Sequence, residues 1–184
     1  MKTSDALNRS SLQNKPICII GNLNIDLIIR KVPRLPTWGT EVFGESHVAV
    51  SSGQAGYIGF ALSRLGIPTS IISNVGQDVN GQQILDDLKT SGVDISACEK
   101  TASPQTGITI AIVRPDGERA FVSNFASLRD FDEALVLRHW DKVELAGIIA
   151  MVGTFALPNF TLSLIHISEP TRLLSISYAV FCLK

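Results

Sequence analysis

The sequence predicts an α/β fold with a mostly parallel central sheet that is flanked by helices. Two observations predict it. Short, almost continuous apolar runs occupy 16–21 and 146–152, as the strands of a sheet buried on both faces do, and 68–75 is predicted as another buried strand. Segments with apolar residues at helical spacing, around 58–65 and 81–91, lie between these runs. Alternation of the two patterns is typical of a parallel sheet with crossover helices.

The first strand, Pro16 to Gly21, leads directly into a polar stretch. Asn22 to Asp26 follow its carboxyl end, which is the edge where open α/β sheets bind their ligands. Leu27 to Arg30 resumes a strand, and a turn-rich loop then leads into another strand at 42–50. The polar stretch is therefore a candidate binding segment.

A glycine-rich turn, 51–56, opens the first helix. Ile58, Ala61, Leu62 and Leu65 recur at helical spacing, and Gly66 is suited to end the helix. Such a turn presents backbone N–H groups at the positive end of a helix dipole, which suits hydroxyl or anionic oxygens. A tight turn with close packing is the alternative explanation for the glycines.

The remaining elements follow from the same patterns. Strands are predicted at 68–75, 93–95 and 146–152, and helices at 81–91 and 132–140. Asp78 is placed to cap the helix that begins near Gly81. Asp116-Gly117 separates two strand-like runs, 106–113 and 119–124, and this dipeptide is a strong hairpin signal.

Composition excludes several classes of function. The formal net charge is −1 and 18% of residues are charged, so nothing favours nucleic acid or an anionic membrane as partner. Cys18 and Cys98 are isolated, which indicates buried thiols in a reducing compartment, and the third cysteine, Cys182, lies in the C-terminal segment that differs in character from the rest. The first fifteen residues are polar and unlike a signal peptide, so a cytoplasmic location is expected. His47 and His139 have no partner pattern typical of a metal site or a catalytic triad.

Several short motifs, in order, resemble one family. They are Gly-Asn-Leu-Asn-Ile-Asp at 21–26, Pro-x-x-Gly-x-Glu-Val at 36–42, Ser-Gly-Gln-Ala-Gly-Tyr at 52–57 with the helix to 66, Val-Gly-Gln-Asp-x-x-Gly at 75–81, Thr-Gly at 106–107 with Pro-Asp-Gly-Glu-Arg at 115–119, and the strand end at 152–158. Together they resemble the ribokinase-like, or PfkB, carbohydrate kinases over about residues 16–160. The resemblance implies a ribokinase-like fold with a small β-sheet lid at about 36–50 and 106–125.

The resemblance also implies a substrate site for a small-molecule sugar or nucleoside. Its residues would be Asn24, Asp26, Gly53, Gln54 and Tyr57, with the Asp26 carboxylate accepting hydrogen bonds from sugar hydroxyls. Asn24 could equally be a turn former. The family usually has Gly in place of Ser52 and Asn in place of Tyr57. ATP and Mg²⁺ are the family's cofactors, and lids that pair between subunits would allow a homodimer.

The family's catalytic motif, Gly-Ala-Gly-Asp, does not occur in this sequence. Its Asp is the general base and its glycines form the anion hole, and phosphoryl transfer depends on such positioning and charge stabilisation. No catalytic residue is therefore assigned, the nucleotide site is largely absent, and the chain is expected to be inactive. The alternative is a non-catalytic sugar-binding pseudokinase or regulatory fragment. A dinucleotide-dependent oxidoreductase is disfavoured because no Gly-x-Gly-x-x-Gly follows Ile20.

The last 23 residues, 162–184, differ in character from the rest. They resemble the conceptual translation of an adapter used to build sequencing libraries, and Glu169-Pro170 would interrupt any strand or helix there. The expected organisation is a disordered segment at 1–15, the N-terminal part of a kinase domain at 16–161, and a non-native tail at 162–184. The alternative is a genuine apolar C-terminal segment.

Overall fold

The computed structural model describes residues 15–102, 105–160 and 180–181. A first sheet contains β1 (Ile17–Gly21), β4 (Thr69–Val75), β5 (Asp94–Lys100), β8 (Ile148–Val152) and β9 (Val180–Phe181) in the order β5-β4-β1-β8-β9. The first four strands are parallel to their neighbours, and β9 is antiparallel to β8. The predicted α/β fold with a mostly parallel sheet is confirmed.

Burial on both faces explains the continuous apolar runs. Side chains of β1 alternate between two core clusters, with Cys18 and Ile20 in one and Ile19 in the other. The first cluster also contains Phe131, whose ring meets that of Phe160 edge to face at 5.1 Å. Because both faces are covered, β1 and β8 have no solvent face that would require polar residues. β4 is buried as well but carries four polar residues, Thr69, Ser70, Ser73 and Asn74.

Helices cover the first sheet. They are α1 (Gln54–Arg64), α2 (Val79–Thr90), α3 (Glu133–Arg138) and α4 (Trp140–Leu145). Ile84 and Leu88 of α2 pack into the same cluster as Ile19, whereas Leu135 and Val143 of α3 and α4 pack into the cluster of Phe131. None of the helices in the described part of the chain has the length and apolar character needed to cross a membrane.

A second, four-stranded sheet contains β2 (Asn24–Arg30), β3 (Ser46–Ser52), β6 (Ile108–Val113) and β7 (Arg119–Asn124) in the order β3-β2-β6-β7. The hairpin between β6 and β7 confirms the prediction at Asp116-Gly117: the Arg114 N–H donates to the Glu118 carbonyl at 2.8 Å, and Gly117 has φ 91°. Strands β6 and β7 lie within the predicted lid segment 106–125 and β3 overlaps the segment 36–50, whereas β2 was not part of that prediction.

The structure corrects some boundaries. The second strand was predicted from Leu27 but begins at Asn24, because β2 pairs with β3 along its whole length and with β6 from Ile25 onward. The helix predicted at 132–140 is two short helices, because His139 has φ −114° and ψ 30°. The strand predicted at 42–50 is Ser46–Ser52.

Other predictions fall wholly or partly outside the described residues. The segment expected to be disordered, 1–15, is described only at Lys15, and the tail 162–184 only at Val180–Phe181. Those two residues pair with Ala150 and Ile149 of β8. That residues 162–184 are a non-native tail stays a prediction.

Candidate functional site

A cavity of about 460 Å³ lies where the β1–β2 link, the start of α1, strands β6 and β7 and the end of β8 meet. All five sequence-predicted site residues line it: Asn24, Asp26, Gly53, Gln54 and Tyr57. The other lining residues are Asn22, Ile108, Thr109, Phe121, Ser123, Asn124, Phe125, Leu128, Phe155 and Ala156. A mostly apolar wall with a few convergent polar groups is typical of small-molecule sites.

Three polar side chains form a row along one wall of the cavity. Asn22, Asn24 and Asp26 are two residues apart, and such positions share a face in a strand. The Asn22 amide donates to Asn24 Oδ1 at 3.0 Å, and the Asn24 amide donates to Asp26 Oδ1 at 2.8 Å. Each side chain therefore orients the next, and the row ends at the carboxylate.

Ser52 holds the middle of this row. It is fully buried and lies opposite Asn24 in the β2–β3 ladder. Its hydroxyl donates to the Asn24 carbonyl at 2.8 Å and accepts from the Asn24 amide at 3.0 Å. The serine that departs from the family pattern thus fixes the rotamer of Asn24.

Two glycines allow close packing around Asn22. Gly53 and Gly153 have φ 88° and 65°, a region that L side chains rarely adopt. A Cβ on Gly53 would overlap the Asn22 carbonyl, and one on Gly153 would overlap Asn22 Oδ1. The Gln54 N–H donates to Asn22 Oδ1 at 3.2 Å, which joins the start of α1 to the polar row.

Tyr57 meets the carboxylate from α1. Its hydroxyl donates to Asp26 Oδ2 at 2.8 Å. Partial burial, the hydrogen bond to Asp26 and the negative charge of that carboxylate together raise the pKa of Tyr57 to about 12, so the phenol keeps its proton at neutral pH. Each oxygen of Asp26 therefore has one protein donor.

Gln54 contributes an acceptor that lacks a partner. Its Oε1 atom is buried and receives no hydrogen bond from the described residues. Buried polar atoms nearly always have a partner, because an unpaired one costs free energy. A ligand hydroxyl or a water molecule in the cavity would satisfy it.

The cavity does not fit a nucleoside triphosphate or Mg²⁺. Its described lining residues include one carboxylate, that of Asp26, and no Lys, Arg or His to offset phosphate charge. Within the described residues no group of three or more His, Cys, Asp or Glu side chains could hold a metal ion. The arrangement instead suits a neutral molecule with several hydroxyls.

Sequence reasoning missed part of the cavity wall. Asn22 was placed in the candidate segment but not given a role, although a polar residue directly after a buried strand is itself a signal. Phe121 and Ser123 come from β7 and Phe155 follows β8, far along the chain from the motifs. Phe121 and Ser123 are two residues apart and therefore share one face of β7, and this spacing was the available signal for both residues.

A comparison with protein families decides the family. Residues 14–167 match the family described as pfkB family carbohydrate kinase. The chain belongs to this family. The match includes the whole row Asn22–Asn24–Asp26 and both sheets, apart from β9.

Curated relatives cover a similar stretch. Ribokinase from Bacillus subtilis is 29% identical over 133 residues, which are 72% of this chain and 45% of that protein. An ATP-dependent ribose-1-phosphate kinase from Halopiger xanaduensis is 33% identical over 104 residues, which are 56% of this chain and 35% of that protein. The chain thus spans less than half the length of these relatives.

Solved structures share the fold. Ribokinase from Giardia lamblia superimposes with a TM-score of 0.68 at 21% identity, over 82% of this chain and 44% of that one. Arabidopsis thaliana ribokinase, solved with ribose and ATP, gives a TM-score of 0.64 at 20% identity, over 76% of this chain and 45% of that one. The ribokinase-like architecture is confirmed.

Proposed function

We propose that this chain is the sugar-binding part of an ATP-dependent sugar or nucleoside kinase, and that the cavity holds the substrate. The observation that carries the proposal is the polar row ending at Asp26, which lines the same cavity as Gln54 with its unpaired Oε1. A carboxylate has about four acceptor positions, and only two are used by Asn24 and Tyr57. Substrate hydroxyls can take the others as charge-assisted bonds.

The five residues have distinct parts in the proposed site. Asp26 and Asn24 hold hydroxyls, and Gln54 accepts one more through Oε1. Gly53 lets the backbone approach the substrate closely, and Tyr57 forms the wall beside Asp26. The apolar remainder of the cavity, including Phe121 and Phe155, contacts the carbon skeleton of the substrate.

Phosphoryl transfer itself belongs to a longer protein. Ribokinase from Cryptococcus neoformans has been solved with ADP, and that from Arabidopsis thaliana with ribose and ATP, which supports ATP as the phosphate donor. The sequence lacks the Gly-Ala-Gly-Asp motif, and the cavity lacks cationic side chains among its described lining residues. Binding without transfer is therefore the expected property of the chain as it stands, with residues 162–184 taken as a non-native tail.

A second candidate function rests on the same missing Gly-Ala-Gly-Asp motif and the same lack of cationic side chains among the described lining residues. A non-catalytic sugar-binding protein would need the polar row and the cavity but neither a general base nor a nucleotide site. Both candidates predict sugar binding by this chain. Phosphorylation by a longer form that contains a general base would favour the kinase.

Asp26→Ala tests the proposed site. The loss of a charged acceptor should weaken binding of the sugar by about ten- to hundredfold. Calorimetric titration of the 184-residue chain with D-ribose, other pentoses, hexoses and nucleosides measures this change. Asp26→Asn, which keeps the shape of the side chain but removes the charge, should also weaken binding.

Asp141→Ala is the matched control, because Asp141 is an exposed carboxylate of α4 outside the cavity. Its affinity for sugar should equal that of the unaltered chain. Unchanged sugar affinity in Asp26→Ala, together with a lowered melting temperature, would mean that Asp26 is structural. Failure of every sugar and nucleoside to bind the unaltered chain would overturn the proposed function.

A further inference from the structure

We infer that Tyr57 is a specificity-determining residue: its hydroxyl takes an acceptor position on Asp26 that a substrate hydroxyl would otherwise use, so the site favours a sugar with one hydroxyl fewer. The ligand class is a monodeoxy pentose, free or as part of a nucleoside. The inference rests on the proposed function, because it concerns the same cavity.

The first step is the distribution of donors around Asp26. The Asn24 amide occupies Oδ1 and the Tyr57 hydroxyl occupies Oδ2, both at 2.8 Å. Two neighbouring hydroxyls of a sugar would naturally take one carboxylate oxygen each. Each oxygen keeps one free acceptor position, but at Oδ2 such a hydroxyl has to share the oxygen with the Tyr57 phenol beside it or displace that phenol.

The second step concerns what Tyr57 offers in return. A phenol has one proton, and that of Tyr57 points to Asp26, so its oxygen remains only an acceptor toward the substrate. Its raised pKa keeps the proton in place at neutral pH. The side chain therefore replaces a carboxylate acceptor with a weaker, neutral one and adds an aromatic ring.

The third step is the apolar character of the rest of the cavity. Phe121 and Phe155 line it with 60% and 78% of their surfaces exposed, and Tyr57 itself is 50% exposed. A bound ligand covers these exposed rings, and a hydroxyl placed against them then gives up water without gaining a hydrogen-bond partner. A carbon without a hydroxyl loses nothing there, which adds to the preference for a deoxy sugar.

The test uses the full 184-residue chain and calorimetric titration with two sets of probes. One set is D-ribose with its 2-, 3- and 5-deoxy derivatives, and the other is adenosine with its 2′- and 3′-deoxy derivatives. The unaltered chain should bind one deoxy compound at least as tightly as its hydroxylated parent. Tyr57→Phe should raise the affinity for the parent relative to that deoxy compound by about threefold to tenfold.

Several outcomes separate the alternatives. If Tyr57→Phe weakens parent and deoxy compound equally, Tyr57 only positions Asp26 and the inference is wrong. If both bind in an Asp26-dependent way but every parent binds better than its deoxy forms, the inference fails and the proposed function stands. If no probe binds the unaltered chain, both fail.

Tyr57→Asn provides a second variant, since it removes the ring as well as the hydroxyl. It should shift the same affinity ratio in the same direction as Tyr57→Phe, and a shift toward the deoxy compound would overturn the inference. Circular dichroism and melting temperature should match the unaltered chain in both variants, because Tyr57 is half exposed and outside both core clusters.

Discussion

Single residues determine the shape of the polar row. Ser52 holds Asn24 from the neighbouring strand, whereas Gly53 and Gly153 leave room for Asn22. Neither glycine could be replaced without moving an oxygen that the row uses. The position of the Asp26 carboxylate therefore depends on residues that do not touch it.

Gly153→Ala should destabilise the protein and weaken sugar binding together. Its φ of 65° costs an L residue about 1–2 kcal/mol, and the new Cβ would also displace Asn22 Oδ1. Urea unfolding and sugar titration measure the two effects.

Gly66→Ala is the matched control for this variant. Gly66 has φ 71°, but a Cβ there would have nothing within 4 Å. It should show the backbone cost alone, with unchanged sugar affinity. Equal losses of stability and unchanged binding in both variants would contradict the role given to Gly153.

Secondary-structure elements are joined by polar contacts at their ends. Asp78 caps α2 by accepting from the Gly81 N–H at 2.9 Å, as its position in the sequence predicted. It also accepts from the Thr106 N–H at 3.0 Å, which ties the start of α2 to the segment before β6. Burial alone would raise the pKa of Asp78, but hydrogen bonds from Thr106 and Gly81 outweigh it and lower the pKa.

Glu99 joins β5 to α3. Arg138 donates two hydrogen bonds to it, at 3.0 and 2.8 Å, and His139 Nε2 lies 2.8 Å from Oε1. The Arg138 hydrogen bonds lower the pKa of Glu99 and outweigh the opposing effect of burial, and the hydrogen bond with His139 lowers the pKa further. The charged form of Glu99 is thus favoured in the folded state.

Glu99→Gln should lower the free energy of unfolding at pH 7 by up to about 1 kcal/mol, as for other partly exposed ion pairs. A carboxyl group with a lowered folded-state pKa stabilises the fold above its unfolded-state pKa, and this stabilisation is lost as the pH falls through the folded-state value. The difference from the unaltered chain should therefore shrink toward acid pH in urea unfolding experiments.

Glu144→Gln is the control for charge alone, since Glu144 is an exposed carboxylate of α4. It should change stability little at any pH. A Glu99→Gln difference that stays constant from neutral to acid pH would contradict the role of the Glu99 charge.

Local chemistry determined which elements could be predicted. The run at 17–21 is apolar because both faces are buried, and the Asp116-Gly117 turn follows from backbone preferences at a single site. The start of β2 at Asn24 depends on pairing with β3 and β6, which lie far away in the chain. The same holds for Phe121 and Phe155, whose place in the cavity wall follows from tertiary structure.

The grouping of the candidate site residues around one cavity followed from the sequence to the same extent, and their role in binding stays a prediction. Asn24, Asp26, Gly53, Gln54 and Tyr57 lie in short motifs, and all five line one cavity. The bond between Tyr57 and Asp26 could not be predicted, because it joins a helix to a strand 31 residues apart. Both residues can be singled out in the sequence, but the short distance between their side chains in the folded protein cannot.

At the scale of the whole molecule, the chain cut after Phe160 should keep its fold and its sugar affinity. The reason is that both core clusters and every described lining residue of the cavity lie within residues 15–160. Melting temperature, sugar titration and limited proteolysis of the full chain are the measurements. Protection of 168–177 equal to that of α2, or a large loss of stability on truncation, would show that the tail belongs to the fold.

The full chain should transfer no phosphate from ATP to any sugar or nucleoside above background. Phosphoryl transfer needs a positioned base and charge neutralisation, and the sequence lacks the motif that supplies them. Assays with a panel of pentoses, hexoses and nucleosides, run beside a known sugar kinase, measure this. Clear turnover of one compound would contradict the expectation.

The link between the two sheets is only two residues long, Asn22 and Leu23, and both are buried. Side chains alternate along β2, so the length of this short link determines which of them face the cavity. Inserting one residue there would turn Asn24 and Asp26 away from the cavity and bring Ile25, now part of the core, into their place. Inserting two residues would return Asn24 and Asp26 to the cavity face but would leave the link longer than the distance it has to span. The length of this link is therefore itself part of the binding site.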